Sequence, residues 1–180
     1  MKKTILAFLV TIIVISCNQS TPPAEQKSDS TTSETKKADD VKYAYKATYS
    51  SDFEIGKAEN AKVILDIWKA VEDNKLGDTK SLWADSVTMQ FENYTFHGKA
   101  DSAIKEGKAE RARYTSVVDS VDAVVSLHSK DRNEDWVSVW AREYTVNTKG
   151  KKDTADIHEI WQLKNGKASY MSQYRAHRKW

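Results

Sequence analysis

The sequence predicts an α+β domain in which a cone-like, curved and mostly antiparallel sheet wraps around three N-terminal helices. Three observations lead there. Apolar residues recur at helical spacing from Asn60 onward, and four alternating runs rich in β-branched and aromatic residues fill the C-terminal half. Those four runs are separated by "KDRNED", "TKGKK" and "NG", all of which are turn signals. Helices followed by a long succession of strands is the order of an α+β fold, not of repeated βαβ units. Val41 to Trp180, about 140 residues, is enough chain for one core.

Taken in order, "VKYAYKATYSSDFEIG" has an alternating aromatic start and reads either as an edge strand or as an extended lead-in packed over the domain. Asn60 caps the first helix, whose stripe is Ala61, Ile64, Trp68 and Val71, widened by Leu65 and Ile67, and which ends near Gly77. "DTKSLWAD" is a short second helix with Leu82 and Trp83 inward. "SVTMQFENY" alternates as a strand, and "FHG" then turns the chain. "KADSAIKEGKAERARYTSV" is a charged third helix weakened by Gly107. The four strands are "SVDAVVSLHS", "DWVSVWAREYTVN", "DTADIHEIWQL" and "KASYMSQYRAH", the last two joined by a hairpin at Asn165 and Gly166.

Ahead of the domain the chain is of another kind. Lys2 and Lys3 precede an apolar run from Ile5 to Ile15 that is too short to span a bilayer, and Ser16 then leads into Cys17, the only cysteine. A lone cysteine closes no internal disulfide and has no second thiolate beside it for a metal. The "VISC" box resembles a bacterial lipoprotein signal, which implies a signal peptide over residues 1–16 and acylation of Cys17. Residues 17–40 then form a disordered tether: Asn18 to Asp40 holds both prolines and no Val, Ile, Leu, Met or aromatic residue. A flexible chain of this length spans on the order of 25 Å. The expected location is the cell envelope, on the periplasmic face of an outer membrane. Loss of Lys2 and Lys3 from the 28 basic residues equals them to the 26 acidic ones. A neutral mature chain gives no reason to expect nucleic acid as a partner.

"AKVILDIWKAVEDNKLGD", "LWADSVTMQF", "FHGKADSAIK" and "HEIWQLKNGKASYMSQY", in this order, resemble the nuclear transport factor two-like superfamily, with its SnoaL-like cyclases and ketosteroid isomerases. The resemblance covers roughly Asn60 to Arg175 and implies a concave sheet face that encloses a pocket with the helices. It also implies that pairing of two copies, where it occurs, uses the opposite sheet face.

Register gives the candidate residues. With Asn165 and Gly166 as a two-residue turn, Lys164 pairs with Lys167, Trp161 with Tyr170 and Glu159 with Ser172. One face then carries Ile157, Glu159, Trp161, Leu163, Ala168, Tyr170, Ser172 and Tyr174, joined by Val137, Val139, Ala141 and Glu143 from the preceding strand. It is the more apolar face and is assigned to the pocket, with Glu143 and Glu159 as its polar members. The other carries Trp136, Trp140, Arg142, Tyr144, His158, Gln162, Met171 and Arg175 and is expected to be covered by a second copy in a homodimer. Each pocket glutamate is either a general acid or base with a raised pKa, or is ion-paired or at the wet rim.

In ketosteroid isomerases the resemblance places a carboxylate base near Gln90, a phenol near Trp68 and a pocket acid near Glu159; the first two positions here hold side chains that abstract no proton. His97, His128, His158 and His177 lie on four separate elements, so no metal and no other cofactor is expected. Trp68, Trp83 and Trp161 suit a hydrophobic cavity or an ordinary core. The sequence therefore points to a membrane-anchored domain that binds a small apolar or amphipathic molecule or a partner protein. The alternative is an isomerase or lyase of the cyclase, isomerase or dehydratase type. An adapter with no ligand is the third reading. A Glu159 without a cationic partner would favour the enzyme.

Overall fold

The computed structural model describes residues 42–178. The expected signal peptide, Cys17 and the whole tether lie outside the described residues. Strand β1 (Phe53–Ile55) is followed by helix α1 (Ala58–Glu72), a 3-10 helix (Leu76–Leu82), strands β2 (Trp83–Phe91) and β3 (Tyr94–Lys99), and helix α2 (Ala100–Arg111). Four long strands complete the chain: β4 (Tyr114–Ser129), β5 (Glu134–Asn147), β6 (Lys152–Lys164) and β7 (Lys167–His177). One sheet contains all seven strands in the order β1-β4-β5-β6-β7-β2-β3, antiparallel except for β2 against β7. Among the described residues no helix is long and apolar enough to cross a membrane.

Both readings of the lead-in hold in part. Residues 53–55 form an edge strand on β4, while Tyr49 packs edge-on against Trp136 with ring centroids 5.8 Å apart. Ser50 bonds Asp131, Tyr49 bonds Glu134, and Arg132 lies 3.8 Å above the Tyr49 ring, so the segment is pinned to the β4–β5 turn.

The helices differ from expectation at their ends. Lys57, not Asn60, is the residue before α1, and Asn60 is buried within the first turn. Its N–H bonds the Lys57 carbonyl at 3.1 Å within the helix, and its side chain is buried and caps nothing. The helix stops at Glu72, with Asn74 in the left-handed region at φ 58°. The second helix is of the tight 3-10 type and ends one residue before Trp83, which opens β2. "FHG" is no turn: it lies within β3, where Phe96 is buried and the exposed residues Tyr94 and His97 do not set the fold. The turn falls earlier, at Glu92 and Asn93, because the alternation of Tyr94 and Phe96 continues the ladder onto β2.

At the β6–β7 hairpin Asn165 and Gly166 both have positive φ, 52° and 72°, which is the type I′ geometry that keeps Lys164 opposite Lys167. The register then slips. Leu163 pairs with Ala168 but Gln162 pairs with Tyr170, leaving Ser169 as the extra residue of a bulge whose hydroxyl bonds the Gln162 carbonyl. Trp161 therefore faces Met171 across the ladder, and Glu159 faces Gln173. A one-residue slip turns every later side chain over. Met171, Gln173 and Arg175 point into the concave side, and Tyr170, Ser172 and Tyr174 point outward, the reverse of the sequence-based assignment for this strand. Two register shifts in β4, between Tyr114 and Ser116 and between Val121 and Ala123, add to the curl of the sheet.

The core sits between the concave face and the helices. Ile64, Ile67, Trp83, Val87, Val137, Val139, Leu163, Ala168 and Met171 form one cluster with Ala103 and Ile104 of α2. Val137 and Val139 are fully buried, whereas Trp140 between them and Tyr144 is 40 % exposed, so β5 alternates as read. Gly107 is set by packing, since a Cβ there would lie 2.6 Å from Leu76 Cδ2.

Candidate functional site

A cavity of about 580 Å³ opens between the concave face, α1 and α2. Helix α1 presents Ile67, Trp68 and Val71 to it, β2 and β3 present Met89, Phe91 and Phe96, and β6 presents Ile157, Glu159 and Trp161. The sheet contributes the polar end: Asp119 from β4, Glu143 from β5, and Gln173 and Arg175 from β7.

Glu159 is 5 % exposed and has no cationic partner. Its Oε2 accepts from the indole nitrogens of Trp68 at 2.6 Å and Trp161 at 2.8 Å, and its Oε1 accepts from the Gln173 amide at 2.8 Å. The carboxyl thus ties α1 to β6 and β7. Burial pushes its pKa up, while the three donors pull the other way. With every oxygen already bonded, Glu159 is better placed to hold Trp68 and Trp161 in position than to exchange a proton with a ligand.

Glu143 is ion-paired. Arg175 Nη2 reaches its Oε1 at 2.6 Å, with both side chains mostly shielded from solvent. Asp119 stands opposite Glu143 in the β4–β5 ladder. Its Oδ1 is sealed from solvent and accepts no hydrogen bond, and its main-chain N–H donates to Glu72 at 3.1 Å. Burial, then the nearby Glu143, Glu72 and Glu159 charges, push the Asp119 carboxyl up to about 7, and only Arg175 opposes them. An acid that is half ionised near neutral pH is suited to take or give a proton. Among the described residues no cluster of three or more His, Cys, Asp or Glu is arranged to hold a metal ion.

Trp68, Glu143, Glu159 and Trp161 all line this cavity. Gln90 and Tyr170 do not: they meet on the convex side, where the Tyr170 hydroxyl donates to Gln90 Oε1 at 2.6 Å. The Ser169 bulge moved Tyr170 there. It also moved Met171, a candidate for the convex interface, into the core at 2 % exposure. Trp136, another such candidate, is half-buried under Tyr49 and Tyr170. Trp140, Tyr144 and His158 do lie on the convex face, with His158 stacked on Trp140 at 4.8 Å and facing Tyr174 at 6.0 Å.

The sequence reading missed Asp119, Gln173 and Arg175. Asp119 was findable, since it follows inward-facing Val117 by two residues along one strand and so shares its face. The other two were hidden by the bulge.

No protein-family model and no curated protein matches the sequence. Solved structures do match. An LEH-like epoxide hydrolase from M. tuberculosis is 8% identical with a TM-score of 0.55, over 66% of this chain and 83% of that one. A protein assigned as a SnoaL-like polyketide cyclase from Jannaschia sp. CCS1 is 15% identical with a TM-score of 0.55, over 66% and 86%. An NTF2-like protein of unknown function from Exiguobacterium sp. 255-15 is 18% identical with a TM-score of 0.53, over 65% and 98%. At such identities the likeness is one of fold: the domain has the nuclear transport factor 2-like, SnoaL-like fold.

Proposed function

We propose that the cavity is a small-molecule site with acid–base capability, taking a largely apolar molecule with which Asp119 exchanges a proton. The observation that carries this reading is the contrast between two facing carboxyls: Glu143 is bonded to Arg175, while Asp119 has a buried oxygen without a donor. The apolar wall from α1, β2 and β3 supports binding of a hydrocarbon body, and the volume falls within the usual range for ligand pockets, about 300–1,000 Å³. The epoxide hydrolase-like and cyclase-like neighbours are compatible with turnover on this fold. Binding without turnover is the second reading. It is favoured by Glu159, which lacks the cationic partner that would mark it as ion-paired but has both oxygens engaged by neutral donors, so Asp119 alone is left to carry the chemistry.

The test is a panel of small apolar ketones and epoxides, with and without an amino group, incubated with the full chain in D₂O. NMR follows α-proton exchange and ring opening. At least one compound is expected to react at a rate that Asp119→Asn lowers by about 10²–10⁴-fold. No reaction across the panel, or equal rates for the variant, reduces the domain to a binding module.

We further propose that acylated Cys17 anchors the protein to a bilayer at the cell envelope, with residues 17–40 as the tether. The "VISC" box and the polar composition after it support this. Radioactive fatty acid should label the wild type and not Cys17→Ala; equal labelling ends the lipoprotein reading. A homodimer through the convex face belongs to the same proposal. It is supported by the exposed Val118, Trp140, Tyr144 and Tyr174, and Trp140→Glu should dissociate it in ultracentrifugation.

A further inference from the structure

The charges around the cavity do not balance. Six carboxylates line it against Arg111, Arg175, the imidazole of His177 and no lysine, and of the six Glu110 is paired with Arg113 at 2.8 Å. Each of these three side chains is already engaged. Arg175 holds Glu143 at 2.6 Å, and His177 Nδ1 meets Asp153 at 2.7 Å. Arg111 gives its guanidinium to the main-chain carbonyls of Val71, Glu72 and Tyr114. The charged groups facing Asp119 are Glu72 from α1, itself paired with Lys69 at 2.6 Å, Glu143 from β5, Glu159 from β6 and Arg175 from β7. The Asp119 carboxyl lines the cavity and accepts no hydrogen bond, one of its oxygens being shut away from water, and so offers an acceptor among neighbouring acids to a ligand that brings both an N–H and a positive charge. The rings of Trp68, Phe91 and Trp161 in the same wall favour a cation with hydrocarbon attached.

We propose that the cavity takes a protonated amine with an apolar body, its ammonium group on Asp119 and its hydrocarbon against the aromatic wall. This rests on the reading of the cavity as a small-molecule site and names the ligand class. A neutral ligand of the same shape leaves the acid excess uncompensated, and an anion adds to it. The ammonium group favours the Asp119 carboxylate over its acid form, so binding expels a proton where the free side chain is still protonated. Affinity therefore rises from pH 6 to pH 8.

The experiment is titration calorimetry on the full chain in non-ionic detergent, with three probes that share one skeleton: 3-phenylpropylammonium, 3-phenylpropanol and 3-phenylpropanoate. Buffers of different ionisation enthalpy count the protons released. At pH 8 the ammonium probe should bind at least about tenfold more tightly than the alcohol, with the carboxylate weakest. Its affinity should fall about tenfold by pH 6, where close to one proton is released on binding. Asp119→Asn should make the ammonium and alcohol probes equal and abolish the proton release. The proposal is overturned if the wild type binds the alcohol or the carboxylate as tightly, if the preference survives in Asp119→Asn, or if no probe binds. Loss of the cation preference with Asp119-dependent proton exchange intact removes the amine alone, whereas loss of both removes the small-molecule site.

Discussion

The two faces of the sheet are made from the same strands, yet their polar groups behave in opposite ways. On the convex face charges meet in open solvent: Arg142 and Arg178 share Asp156, and His158 stacks between Trp140 and Tyr174. Exposed pairs of this kind contribute little to stability. On the concave face three acids gather where water is scarce. Glu159 is met by three neutral donors and Glu143 by an arginine, while Asp119 Oδ1 has no donor and its pKa rises. The difference teaches that the environment, not the number of carboxylates, selects the chemically competent one.

The largest test of this contrast uses the tryptophans of the two faces. Trp161 is 3 % exposed and bonded to Glu159, so Trp161→Ala should cost about 3–5 kcal/mol in urea unfolding. Trp140→Ala, at the exposed end of the convex stack, should cost about 1 kcal/mol or less in the monomeric domain. Equal losses would erase the distinction between faces.

Asp119→Asn works in the opposite direction. An acid whose folded pKa is about 7 against a reference of 3.8 binds more protons folded than unfolded between those values, so ionising it opposes folding. Its stabilisation is complete below pH 4 and lost as the pH rises to about 7. The variant should therefore gain about 2 kcal/mol over wild type at pH 8, part of the full linkage being screened by solvent at the partly exposed side chain, and almost nothing at pH 4. Melts at the two pH values check it.

Glu143→Gln is the finest of these tests and is read by titration, not by stability, since it also leaves the shielded Arg175 without its charge partner. It removes the largest neighbouring charge that raises Asp119 and frees Arg175 to oppose it, so the Asp119 midpoint should fall. An unchanged midpoint would separate the two carboxyls.

Much of the fold was legible because it rests on periods. The α1 stripe and the alternation of β5 and β6 placed Ile64, Val137, Val139, Glu143, Glu159 and Trp161 on the inner side, and the Asn165–Gly166 turn fixed its first pair. The site was less legible, because alternation carries no mark of an inserted residue. "ASYMSQY" offers Tyr170 and Met171 as equally good inward residues, and only the ladder onto Trp161 decides for Met171. Tyr170 went to the pocket on that error and Arg175 went out of it, whereas Gln90 was placed there by the resemblance to ketosteroid isomerases. Asn60 failed differently: its residue type fits a cap, but tertiary packing buried it.

Everything distinctive about the concave face converges on one side chain. Carbon-13 NMR of the full chain labelled at aspartate side-chain carboxyl carbons, with Asp119→Asn to assign the resonance, follows its titration directly. The account predicts a midpoint near pH 7 for Asp119 that shifts downward when 3-phenylpropylammonium is added. A midpoint near the ordinary aspartate value of about 4 would contradict it.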